Sequence, residues 1–474
     1  MWEPVGQGEM RIHTRLYDTD GFYDEALAED GTPRPHCEDV LAAIAEDPAS
    51  ARAAARAAAR ELGASFGQGE GAAPFEIDPT PRIFTAEEWR AVERGVAQRA
   101  RALSAFVTDV YGEREIFAAG IVPERIVESS RHLEPDLAGV DLGSAPATVA
   151  GFDLVRGSDG VLRVLEDNCR TPSGIAYAHA ARRATDPWLE DLIPAGRRTF
   201  DEFFNALAEA LARVAPPGAE APVVAILSDG PSNSAWYEHE LVGKTIGIPP
   251  STPDDVRRRG DRLVLRQDDR PIDVVWRRTD EDRLRKEDGS PTWLGELLIE
   301  PIRAGTLRVA NGFGCGVADD KLVHAYVEDM VRFYLGEEPR IESVPTFDLA
   351  ANGHLDAARE RLDELVVKPR GAHGGEGVVI GPKSSRAELR DTAARISRTP
   401  RDFVAQPVVA LSRHPTVCDG RLEPRHVDLR AFTVSADDAV TVAPGGLTRV
   451  ALRAGSMIVN SSAGGGGKDT WVLT

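Results

Sequence analysis

The 474-residue chain has little of what staples a small protein or anchors one in a membrane. It carries only 4 cysteines. Cys37, Cys169, Cys315 and Cys418 are widely scattered with no CxxC pair, which argues against a disulfide framework or a thiolate zinc site and makes a reducing cytoplasm the expected location. No apolar run reaches the roughly 18 residues of a membrane span. The N-terminal stretch MWEPVGQGEMRIHTRLYD lacks the apolar core of a secretory signal. The 10 histidines show no HExxH or other compact spacing, so a zinc hydrolase is not expected. GxxxxGK[ST] is missing, and so is GxGxxG running into a helix. Positive charge is also in deficit: 56 Lys and Arg against 76 Asp and Glu give a formal charge of −20. Such a field repels polyanions, so neither nucleic acid nor an anionic membrane is an expected partner. A single small anion held by local cations or backbone N–H groups is still allowed.

What is present reads as a globular α+β protein. Hydrophobic residues make up 42% and charged residues 28%, enough for a sizeable core, and the length calls for two or three lobes. We divide the chain into an N-terminal arm and helical segment (1–84), a helical region with metal-binding strands (85–222), an α/β central lobe (223–345) and a glycine-loop lobe (346–474), together one composite unit. Residues 1–40 are polar and turn-rich and read as a loosely ordered arm. Asp78, Pro79 and Pro81 are expected to interrupt any regular element in PFEIDPTPRIF. Residues 85–122 read as two helices broken near Tyr111-Gly112, with Thr85 and Glu88 forming a capping box. A Gly-Ser-Asp-Gly turn at 157–160 joins strands at 148–155 and 161–166. A helix follows at 196–214 and a linker at 215–222. Strands are expected at 223–227, 273–276 and 307–311, and a helix from near Asp319 to just before Gly336. The last segment reads as a hairpin of 365–369 with 377–381, a helix at 386–397, and strands at 403–409, 427–434 and 447–459.

The sharpest local signal is KPRGAHGGEG, residues 368–377, between two β-branched runs. Four glycines in the seven positions 371–377 (Gly371, Gly374, Gly375 and Gly377, with His373 among them) let a hairpin backbone approach a bulky anion. Lys368, ending the entering strand, can reach phosphate as a point charge. Taken alone, the segment also fits a surface hairpin. Lys321 follows Asp319-Asp320 near a helix start, where a solvated lysine is an equal reading. Asp428 and Arg430 share one face of the strand VDLRAFTV and suggest a polar site or an edge ion pair.

A second signal is Glu166-Asp-Asn168 after an apolar strand. Glu166 and Asn168 share a face by the strand period, Asp153 can stand opposite across the hairpin, and Asp167 points away. Two carboxylates and an amide oxygen are a hard oxygen set suited to Mg²⁺ bound with nucleotide phosphates. The following RTPSG turns over the same mouth, where Arg170 can meet a phosphate or carboxylate. Cys169 reads as a packed thiol, because no base is placed to activate it.

In this order, the segments GFDLVRGSDGVLRVLEDNCRTPSG (151–174), DVVWRRTD (273–280), LRVANGFGCGVADDKLVHAYV (307–327), VVKPRGAHGGEGVVI (366–380), AQPVV (405–409) and HVDLRAFTV (426–434) resemble the circularly permuted ATP-grasp proteins of type 2. That family is related to the synthetase domain of glutathionylspermidine synthase. Glu166-x-Asn168 precedes Lys321 and Lys368 here, the reverse of ordinary ATP-grasp enzymes. The resemblance implies an ATP-grasp fold with a nucleotide cleft between lobes, using ATP and Mg²⁺. Lys321 and Lys368 would contact ATP phosphates, residues 371–377 would form the phosphate loop, and Gln406 to Val408 would face adenine. Arg430 would bind phosphate or the intermediate, and Asp153, Glu166 and Asn168 would hold magnesium. The activity implied is ATP-dependent ligation of a small-molecule or peptide carboxylate to an amine, with Arg430, Lys321 and Arg170 as candidate catalytic residues. A phosphotransferase and a noncatalytic nucleotide-binding protein are the alternatives. One departure bears on the substrate: glutathionylspermidine synthases carry arginine two residues before the first metal aspartate, and here that residue is Gly151. The amidase half of that enzyme has no clear counterpart.

Overall fold

The computed structural model describes residues 17–67, 71–371, 376–459 and 464–474, together with the backbone of 2–5 and 9–12. Its centre is an eight-stranded sheet. In spatial order its path runs Glu342–Ser343, Leu162–Asn168, Val149–Arg156, Arg421–Ala436, Ala439–Val450, Gly466–Val472 and Ile77–Phe84, with Arg413–Cys418 pairing to Arg421–Ala436 off that path. All eight residues of Val149–Arg156 are buried because this strand is central and covered on both faces. Ala150, Phe152 and Leu154 point to one face and pack in the same core as helix Ala86–Tyr111. Val149 packs on the other side with helices Ile175–Thr185 and Asp201–Arg213. Asp153 and Val155 therefore share a face by alternation.

Two smaller units flank this sheet. Residues 347–407 form a four-stranded sheet in the order Phe347–Asp348, Phe403–Pro407, Leu365–Pro369, Val379–Ile380. It has its own core of Leu349, Leu362, Val367, Ile396 and Phe403 under helix Arg386–Arg398. The hairpin expected from 365–369 and 377–381 is present, antiparallel, with Val367 opposite Val379. The second unit is a parallel sheet in the order Arg308–Ala310, Val274–Arg278, Val224–Ser228, Pro250–Ser251. Its carboxyl ends carry the loops that meet the turn 169–174.

Much of the local reading holds. Thr85 and Glu88 form the capping box, and the long helix stops at Tyr111 with Gly112 after it. The 149–156 and 162–168 strands pair antiparallel with Asp153 opposite Glu166. Four expectations change. Ile77–Phe84 is a fully buried strand in spite of its prolines. It lies at the sheet edge, and its register with Gly466–Val472 jumps from Asp78 to Arg82, so neither Pro79 nor Pro81 is asked to donate to the ladder. The stretch after Asp319 is not one helix. It breaks into short turns at Val323–Tyr326 and Val327–Met330 and a π turn at Val331–Leu335, with Asp320 accepting from the Leu322 N–H and from Arg370 before the first of them. The strand expected at 447–459 ends at Val450, and a turn at 453–456 follows. Within the N-terminal arm, residues 17–40 are well packed. Glu25 is buried and joined to Arg82, Arg156 and Ser412.

Candidate functional site

A cleft of about 220 Å³ lies between the large sheet and the 347–407 unit. Part of its lining is apolar, from Val155, Leu165, Val366, Ile380, Val408 and Met457, and part is charged, from Asp153, Glu166, Lys321, Lys368, Asp428 and Arg449. The large sheet supplies its wall through a bulge. Pairing passes from Asp153–Glu166 to Leu154–Val164, so Leu165 is an extra residue and both Leu165 and Glu166 line the cleft.

Beneath the charged residues lies a closed lattice. Asp153 accepts from Arg430 Nε at 2.6 Å and Nη2 at 2.8 Å, and from Arg449 Nη2 at 2.8 Å. Arg449 also donates to both oxygens of Asp428, its cross-strand partner. Burial works to raise the Asp153 pKa, but Arg430 and Arg449 outweigh it and hold the carboxyl down at about 2. Arg430 spends its remaining Nη1 on Ser173 O, which ties the turn 170–174 to the floor. Arg449 went unnoticed in the sequence; its only signal was a lone arginine in the apolar strand GLTRVA.

The wall above the floor is open. Lys321 Nζ stands 3.5 Å from Glu166 Oε1, and the Glu166 side chain is 37% exposed to the cleft. Lys368 comes in from the opposite sheet. Burial pulls its pKa below the ordinary lysine value, Lys321 pulls the same way, and Glu166 and Asp153 oppose them. Two ammonium groups from separate segments thus face one carboxylate across the cleft. Asn168 donates its amide to Gly151 O at 3.3 Å, which leaves its side-chain oxygen as acceptor. Asp167 points away as expected and is held by Arg99 and His324.

The other candidates fall on two sides of the cleft. Gln406 is buried; its Nε2 donates to Thr346 Oγ1 at 2.8 Å, and its Oε1 has no partner. An orphaned buried acceptor beside apolar walls suits the edge of a purine base. The Val408 N–H is already given to Glu364 O, so that residue offers its carbonyl and side chain. Gly371 and Gly377 form the stems of the glycine loop. Gly377 has φ +67° and a Cβ there would sit 2.9 Å from Pro369, so no other residue fits without strain. His373, Gly374 and Gly375 lie outside the described residues. Arg170 does not reach the lysines. It bonds Asp282 at 2.6 Å and Asp319 at 2.7 Å. Cys169 is fully buried and its thiol pKa is pushed well up, foremost by burial.

The donor set fits magnesium in part. Glu166 and Asn168 present a carboxylate and an amide oxygen of the hard type Mg²⁺ takes. Both Asp153 oxygens are bonded to arginines, so it stands behind that pair. Among the described residues there is no cluster of three or more His, Cys, Asp or Glu side chains placed to hold a metal. Any such ion would rely on Asn168 and on oxygens brought by the ligand.

Comparison with known proteins gives the following. The family model for circularly permuted ATP-grasp type 2 matches residues 81–451. An uncharacterized Synechocystis protein is 40% identical, over 98% of this chain and 99% of its own length. An uncharacterized Mycobacterium tuberculosis protein is 38% identical, over 96% of this chain and 86% of its own. A Frankia alni protein with the provisional name glutamate–cysteine ligase 2-3 is 43% identical over 95% of this chain, which spans only 54% of that relative's length. Among solved structures, a glutathione synthetase-like effector from Globodera pallida in its apo form aligns with TM-score 0.57 over 90% of this chain and 96% of its own, at 13% identity. That similarity is one of fold.

Proposed function

The chain belongs to the circularly permuted ATP-grasp type 2 family, and from that premise we propose that it is an ATP-dependent ligase joining a carboxylate to an amine in an amide or peptide-like bond. The observation that supports the reading is the make-up of one cleft: Lys321 and Lys368 with Glu166, together with apolar walls and the unpartnered Gln406 Oε1. Cations and an apolar wall in the same cleft suit a nucleoside triphosphate, which combines a flat base with a polyanion.

ATP would lie with its base against Val155, Leu165 and Ile380 and its phosphates toward the lysines. Glu166 and Asn168, with Asp153 behind them, would hold Mg²⁺, which supplies neutralisation of phosphate charge. The substrate carboxylate attacks the γ-phosphorus, the bond to the β-phosphate oxygen breaks, and ADP leaves an acyl phosphate behind. Lys321 and Lys368 offset the charge on the transferred group. An amine then attacks the acyl carbon, phosphate departs, and the surplus amine proton passes to phosphate or water. Arg430 is pinned to Asp153 and Ser173 O, so it orients the turn that borders the reacting carboxyl. No protein nucleophile is needed, in keeping with the inert Cys169. The acyl phosphate needs protection from water, and residues 371–377 are the natural cover.

The substrates are small-molecule or peptide carboxylates and amines, and the expected location is the cytoplasm. The glutamate–cysteine ligase name belongs to longer relatives of which this chain spans about half, and it does not fix the substrate pair. The test is isotopic. In a screen of carboxylate and amine pairs with MgATP, ¹⁸O in the substrate carboxylate passes into the released phosphate as an amide appears. Formation of a stable phosphorylated product with no amide would instead identify a phosphotransferase.

A further inference from the structure

The strand Val274–Arg278 is central in the parallel sheet and ends on two arginines that point to opposite faces. Their situations differ. Arg278 is satisfied: it bonds Glu238 at 2.7 Å and Pro172 O at 2.8 Å. Arg277 is just as buried, at 1% exposure, yet among the described residues it forms no ion pair. Its Nε has no partner, and its one hydrogen bond is a long one, 3.4 Å from Nη1 to Glu281 O. Its guanidinium lies over the Phe313 ring at 5.0 Å. Burial pulls its pKa down to about 10, against the charge of Asp282, which forms no ion pair with it.

The nearest carboxylate is engaged elsewhere. Asp282 bonds Arg170 at 2.6 Å and stands 3.5 Å from His132 Nδ1. Asp319 is used by the Cys169 and Arg170 N–H groups and by Arg170 Nε. Gly316 makes this crowding possible, since a Cβ there would lie 2.6 Å from His132 and 2.8 Å from Arg170. The cluster opens to solvent at Arg170 and Asp282, whose side chains are 19% and 20% exposed. It occupies the place where open α/β sheets take ligands, beyond the carboxyl ends of parallel strands. It also adjoins the nucleotide end, because Arg170 lies two residues after Asn168 and its partner Asp319 two before Lys321. A buried guanidinium without a partner is costly to keep, and a ligand that brings the missing negative charge removes the cost on binding.

We propose that Arg277, with Arg170 beside it, is the receiving group for a second carboxylate of the substrate. Resting on the ligase reading above, this makes the acyl substrate a dicarboxylate, or an amino acid or peptide with a free acidic group besides the one that reacts. Arg277 binds that group by a two-point fork and sets which acids are accepted. Arg278 is the structural counterpart that clamps the turn.

The full chain is tested with glutarate and valerate, five-carbon acids with two carboxylates and one, by ligand-observed NMR in the presence of MgADP. Wild-type protein is expected to bind glutarate at least about tenfold more tightly than valerate. Arg277→Gln should bring the two within about twofold and leave MgADP affinity unchanged. Arg277→Lys keeps the charge but loses the fork, and should retain only part of the preference. Equal binding of both acids by the wild type, or an undiminished preference in Arg277→Gln, overturns the proposal. So does failure of both variants to fold, since that makes Arg277 a structural residue. If MgADP does not bind the wild type while glutarate is still preferred, the ligase reading fails and the assignment of Arg277 stands.

Discussion

Two surfaces flank the turn 169–174, and they handle buried arginine in opposite ways. On the large sheet, Arg430 and Arg449 share Asp153 and Asp428 in a lattice with no spare charge. On the parallel sheet, Arg277 forms no ion pair among the described residues, and only the charge of Asp282, which is bonded to Arg170, offsets it. On the lysine wall, Lys321 stands 3.5 Å from Glu166. Closed lattices fix geometry, because every bond resists displacement. A buried charge without an ion pair leaves an electrostatic deficit that a ligand of opposite charge would offset. Reading which kind each cation belongs to separates scaffold from binding group better than burial does, since Arg277 and Arg449 are both buried.

The contrast can be broken by substitution. Arg449→Met leaves Asp153 and Asp428 short of a partner in the interior and should cost about 3–5 kcal/mol of stability by urea melts. Arg277→Met removes a buried charge that had no ion pair and should change stability by no more than about 1 kcal/mol. Equal losses would erase the distinction. Lys368→Met should lower ATP-dependent turnover by about 10²–10³-fold with the fold intact by circular dichroism, as expected for a group acting on transferred charge. A variant of ordinary activity would remove Lys368 from the site.

Acid should act on the two surfaces in different pH ranges. His239, beside Glu238 on the parallel-sheet unit, is pulled from 6.5 to about 2 by burial, with Arg278 adding to it. The unfolded chain takes up this proton below 6.5 while the folded chain refuses it, so this contribution is full above 6.5 and lost as the pH falls toward about 2. Asp153 is held near 2 against an ordinary 3.8, so its contribution is full above 3.8 and lost only below that. Stability between pH 6 and 4 should therefore decline less steeply in His239→Gln than in the wild type; identical slopes would remove His239 as a cause. The smallest effects are in the glycine stems. Gly377→Ala should cost about 1 kcal/mol for its positive φ. Gly371→Ala, where a Cβ would meet no described residue nearer than Arg131 at 3.8 Å, should stay within about 0.5 kcal/mol.

The local chemistry was legible where spacing alone places a side chain. The two-residue strand period put Glu166 and Asn168 on one face and Asp167 on the other, and Asp428 with Arg430. The capping box at Thr85 was legible for the same reason: it needs only four consecutive residues. Prolines misled at 77–84, because whether a strand lies at an edge, and where its register jumps, is set by its neighbour. The contact of Asp320 with Arg370 was hidden for a like reason, since its partner is distant in sequence.

The sequence by itself determined the kinds of charge available, the order of the motifs and hence the family, because these depend on residue identity and short-range period. Only the tertiary structure decided which charges are neutralised. Asp153 meets Arg430 and Arg449 across strands nearly 300 positions away in sequence, while Arg277 and Arg278, neighbours in the chain, are sent to opposite faces and opposite fates. Pairing over that range is a property of packing, and no window of residues contains it.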